Sequence, residues 1–62
     1  MLSIDLPIEL LVSIINTYLR SKYNSLSILC EEEDLCYDEL CEKLNNNGYF
    51  YNKTLNQIKN NV

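Results

Sequence analysis

Histidine is absent from this 62-residue chain, glycine and proline occur once each, and only five lysines and arginines stand against nine acids. Without histidine the chain lacks the commonest general base and metal ligand, and with one glycine it cannot build a glycine-rich phosphate loop. No paired thiol motif is present. A nucleophile, a base and an orienting group therefore cannot be assembled from any recognisable pattern, and the chain reads as a non-enzymatic protein with no cofactor. Asp38, Glu39 and Glu42 read as a solvated helix face, the first two favourably close to a helix N-terminus.

Long apolar runs are missing too. The longest, residues 10–15, is broken by Ser13 and falls far short of the ~20 residues that span a bilayer, so no membrane partner is expected. Residues 1–5 lack the basic region and cleavage site of a signal peptide, which predicts a cytoplasmic protein. Cys30, Cys36 and Cys41 are odd in number and stand among helical leucines, as suits a reducing compartment. A zinc site would want four Cys or His ligands with close-spaced pairs, so the thiols read as free and mostly buried, with Cys36 the candidate for exposure.

What is present is hydrophobic: 47% of the residues, enough for one small domain over residues 1–62 but for a core of only about 3–5 kcal/mol. The spacing predicts a first helix over residues 6–21, capped by Asp5, with Pro7 in its first turn and Ile8, Leu11, Val12, Ile15 and Leu19 as its inward stripe. Leu10 and Ile14 widen that stripe. A second helix over residues 25–33 is capped from Asn24 or Ser25 and buries Leu26, Leu29 and Cys30, and the acidic run from Glu31 to Asp34 is read as the turn that follows. The third, over residues 37–46, opens near Cys36 with Glu39 at the capping-box position and Leu35 and Leu40 spaced as a hydrophobic staple. Leu40 and Leu44 face inward, with Tyr37 or Cys41 as further candidates, and Gly48 stops the helix. The period then changes to alternation, which predicts a β-hairpin over residues 49–59 with Tyr49, Tyr51 and Ile58 inward, Phe50 outward, and the tail from Lys59 fraying.

The expected fold is thus α+β and mainly helical: three helices, the second and third arranged like a helix-turn-helix, closed by a C-terminal hairpin in winged-helix-like order. Charge argues against the DNA reading that this order invites. Residues 31–43 hold seven acids against Lys43, a net of −6, which places the strongest repulsion of phosphate on the would-be recognition helix. Only the hairpin, through Lys53 and Lys59, could meet nucleic acid favourably. The leading expectation is therefore a protein partner or a second copy of the chain, met through the surplus stripe at Leu10 and Ile14 and through an outward Phe50.

The order and spacing of Ser13, Ile14, Ile15 and Asn16, then Leu19 and Arg20, Tyr23 to Leu26, Leu29 and Cys30, Leu40, Lys43 and Leu44, residues 48–51, and Asn56 and Gln57 resemble a family of short proteins of Gram-positive bacteria known as domain of unknown function 4250. The chain departs from that pattern around Pro7, where the family tends to an Asp-Pro pair, and at Cys36, where an acidic or hydroxyl cap is more usual. The resemblance implies a compact bacterial cytoplasmic protein and supplies no catalytic or binding residues. Asn16, Arg20, Asn56 and Gln57 are the polar positions where chain and family agree, and they are expected to hydrogen-bond helix ends and the hairpin turn.

Overall fold

A computed structural model describes residues 2–60 as three helices and a two-stranded antiparallel hairpin, an α+β fold that is mainly helical. Helix α1 spans Ile8–Ser21, α2 Leu26–Glu32 and α3 Tyr37–Asn46, followed by strands β1 Tyr49–Asn52 and β2 Gln57–Asn60. The fully buried side chains are Leu11, Ile15, Leu26, Leu29, Leu40 and Leu44, so each helix contributes two residues spaced three or four apart, as one inward helical face requires. Ile58 closes this core from the hairpin, and Tyr49 and Tyr51 pack against its edge.

Helix α1 begins two residues later than the spacing predicts. Pro7 itself is the N-cap, extended at ψ 141, and no side chain caps the helix, while the Asp5 N–H donates to Ser3 Oγ. The cause is steric, because a residue before proline is pushed out of the helical region and Leu6 cannot join the helix. Helix α2 starts as its sequence demands, with Ser25 Oγ accepting from the Ile28 N–H. It stops on Asp34, whose left-handed φ of 60 lets the Leu35 N–H turn back to the Cys30 carbonyl. Asp34 stands where glycine is the usual choice, and Leu35 packs on the core beyond it. Helix α3 has the predicted bounds, although Cys36 gives its N-cap no side-chain bond. Gly48, at φ 82, then turns the chain into β1.

The hairpin pairs Tyr49 with Asn60, Phe50 with Lys59, Tyr51 with Ile58 and Asn52 with Gln57. Lys59 and Asn60 are thus in β2 rather than in a frayed tail, and residues 61–62 lie outside the described residues. Side chains of α1 hold the hairpin. Asn16 Oδ1 accepts from the Ile58 N–H at 2.6 Å and its Nδ2 donates to the Ile58 carbonyl at 3.1 Å, which pairs the outer edge of β2 as a neighbouring strand would. Asn56, at φ 54, donates to the Leu19 and Tyr23 carbonyls at the end of α1. The Tyr51 hydroxyl joins the turn to α2 by donating to Asn56 Oδ1 and accepting from the Leu26 N–H. Gln57 bonds to the Asn16 carbonyl and to Arg20. Of these four polar residues, Asn56 bonds the end of α1 and the turn as the sequence suggests, whereas Asn16 and Gln57 instead join the middle of α1 to β2, and Arg20 reaches Gln57.

Candidate functional site

The hairpin and α3 diverge from a shared stem at Gly48, and the space between them is an open hollow of about 200 Å³. On the helix side, Tyr37, Cys41 and Asn45 recur every four residues, so they form one ridge, with Leu44 beneath it. The strand side supplies Phe50, Tyr51 and Lys53. Tyr37 and Phe50 are each 37% exposed, and both of these large rings line the hollow. Withdrawal from water, and next the Cys41 thiol beside it, raise the Tyr37 hydroxyl above its ordinary pKa of 10.0, so it is a neutral donor at physiological pH.

Phe50 and Lys53, named from the sequence, belong to this hollow, and Lys59 lies across the strand pair from Phe50. Leu10 does not line it but is exposed at 49% on α1. Ile14 is half-buried and packs on the core. The surplus inferred for α1 is therefore smaller than the stripe suggests: Ile14 spends much of its apolar area inside the domain, and Leu10 is left outside. Tyr37 and Cys41 were open in the sequence between core and surface. The four-residue ridge from Tyr37 to Asn45, set just before an aromatic strand, is the signal that joins them to Phe50.

Glu33 departs most from the solvated turn expected of the acidic run. It is only 6% exposed, its carboxylate accepts from the Tyr23 hydroxyl, and Lys22 Nζ stands 3.8 Å away. Lys22 also lies over the Tyr18 and Tyr23 rings at 4.8 and 5.2 Å, which fixes the cation beside the carboxylate. The Tyr23 bond, with smaller help from Lys22 and the Leu2 N–H, holds Glu33 below its ordinary pKa of 4.5. A depressed carboxylate pKa contributes stability that is present above the unfolded value and is lost as pH falls through the folded one. The melting temperature should accordingly drop on acidification below about pH 4.5. In Glu33→Gln this component should be missing, so the two melting curves converge at low pH; parallel curves across the range would refute the assignment. Lys43 is likewise drawn inward, donating to the Ile4 and Leu6 carbonyls and fastening the segment before α1 onto α3.

The thiols are graded by depth: Cys30 buried, Cys41 half-buried and Cys36 exposed. Burial first, and then the nearby Cys41 and Cys36, push the Cys30 thiol up to about 11. A water-soluble thiol reagent at pH 8 should label Cys36 first, Cys41 next, and Cys30 only on unfolding, as mass spectrometry of a time course would reveal. Labelling of Cys30 as fast as Cys36 would place α2 wrongly. Among the described residues no three Cys, Asp or Glu side chains converge to hold a metal ion, and no helix is long and apolar enough to cross a membrane.

Residues 7–58 match the family described as Domain of unknown function (DUF4250). No curated protein and no solved structure matches the chain.

Proposed function

We propose that this chain, which belongs to the DUF4250 family, is a non-enzymatic interaction module of the cytoplasm that binds another protein, or a second copy of itself, through the hollow between α3 and β1. One observation carries the reading: two large rings, Tyr37 and Phe50, are left partly exposed at the same hollow rather than scattered singly. Buried aromatic anchors supply most of the energy of protein interfaces, and a partner that covered both rings would gain from each. Leu10, exposed on α1, is a second apolar contact available to such a partner, with Ile14 at its margin.

Three helices followed by a hairpin resemble the order of a winged helix, in which α2 and α3 would act as a helix-turn-helix-like pair, and this resemblance keeps nucleic-acid binding as the second reading. Its specific support is the exposed pair Lys53 and Lys59 on the hairpin, the latter facing Phe50 across the strands. The exposed acids Asp38, Glu39 and Glu42 of α3 count against it, since a duplex approaching that helix would be repelled. A photo-reactive benzoylphenylalanine in place of Tyr37, activated in living cells, separates the two. Cross-links to polypeptide, absent when the same probe replaces exposed Ser27, are the expected result. Cross-links to nucleic acid alone would favour the second reading, and none above the Ser27 control would overturn both.

A further inference from the structure

The two edges of the hairpin are treated differently. On β2 the outer N–H and C=O of Ile58 are both taken by Asn16. Antiparallel strands alternate between pairs that exchange hydrogen bonds and pairs that do not, and a residue of the second kind points its N–H and C=O outward. Because Ile58 points outward to Asn16, its partner Tyr51 must point outward on the other side, and so must Tyr49 two residues before it. No group among the described residues is hydrogen-bonded to these outward main-chain atoms of β1. They form a short open edge, and Phe50 and Tyr51 on that strand line the hollow.

We infer that this edge pairs with the same edge of a second copy, β1 against β1 in antiparallel register about a two-fold axis through Phe50, to make one continuous four-stranded sheet. The inference rests on the protein-binding reading of the hollow and names its occupant. The segment Tyr49, Phe50, Tyr51 is a palindrome, so the antiparallel arrangement sets tyrosine against tyrosine and Phe50 against Phe50. Tyr49 of each copy then exchanges main-chain bonds with Tyr51 of the other. Phe50 meets its counterpart in a non-hydrogen-bonded pair, where Cα atoms approach to about 4.5 Å, and the exposed rings cover one another. In this register Lys53 falls opposite Asn47 of the second copy, the C-cap of α3, at the negative end of that helix's dipole. A closed two-fold contact of this kind uses both open edges and leaves none to propagate. A standard interface hides about 800 Å² per partner, roughly a fifth of the 4082 Å² exposed here. A strand pair with its flanking rings covers less, so the dimer is weak and forms as concentration rises.

Sedimentation equilibrium of the purified chain, carried from micromolar to millimolar concentration, reads the association, and amide hydrogen exchange reads its site. The expected result is a monomer–dimer equilibrium in which the Tyr49 and Tyr51 amides become protected as concentration increases. Phe50→Lys, which puts a charge on a half-exposed edge position, should abolish both effects with the melting temperature changed by only a few degrees. The exchange experiment on the unaltered chain decides the matter even if that variant fails to fold. A monomer throughout the range overturns the inference, and so does association without protection of these two amides. If the chain stays monomeric while the Tyr37 probe still cross-links to another protein in cells, the occupant is wrong and the protein-binding reading stands.

Discussion

Leu40→Ala is expected to lower stability by about 2–5 kcal/mol, the range for truncating a fully buried leucine. Leu40 has no exposed surface, and it stands on the first turn of α3 among leucines contributed by all three helices. Leu35, just before α3, packs on the same core and is spaced to staple that first turn through Leu40, so truncation removes a core contact and loosens the start of the helix together. A domain of this size has only about 3–5 kcal/mol to lose. Most of the variant should therefore be unfolded at 25 °C, as circular dichroism and urea titration would report. At about 4–8 °C per kcal/mol for so small a domain, a fall of less than about 8 °C would mean that the surrounding leucines collapse into the space.

The second large effect is expected from Asn16→Ala, through a different physical cause. No apolar core is lost; instead the Ile58 N–H and C=O are stranded against α1, where an unpaired main-chain group costs about 1–3 kcal/mol. Together they should remove at least about 2 kcal/mol, with the loss concentrated in the hairpin. Amide exchange in β1 and β2 should accelerate while α2 and α3 keep their protection. Asn16→Asp should rescue little, since a carboxylate can accept from the Ile58 N–H but faces the Ile58 carbonyl with a second acceptor. Uniform acceleration across the whole domain would show instead that the hairpin and helices open as one unit.

How far the fold was legible depended on the range of the forces that fix each part. The bounds of α3, the Ser25 cap, the left-handed stop at Gly48 and the inward leucines follow from local preference and period, and the structure has them. The hairpin also lies where the alternation changes, with Phe50 exposed while its neighbour Tyr51 and the Ile58 paired with Tyr51 turn inward. Pro7 was misjudged through its neighbour, because the restriction on Leu6 outweighs the capping preference of Asp5. Glu33 could not be read locally at all. In a run of four acids nothing distinguishes the one that meets Tyr23 and Lys22, two side chains about ten residues earlier. Lys43 is a similar case, reading as a solvated charge until the segment before α1 is laid across it. At the hollow, Phe50 was visible from alternation, whereas the part played by Tyr37 depends on the angle between α3 and β1, which neither periodicity fixes.

The bond between Asn16 and Ile58 spans 42 positions of the chain, and this sets an order of events during synthesis. Translation proceeds at about 5–20 residues per second, so α1 emerges roughly 2–8 s before the strand it must hold. Throughout that interval the carboxamide of Asn16 has only water to bind, and the carbonyls at the end of α1 await Asn56. The helices can collapse on one another early, but the nascent chain cannot close its native structure until β2 has left the ribosome. Ribosome-bound chains arrested before Ile58 should therefore be cut by protease at sites that the released domain protects.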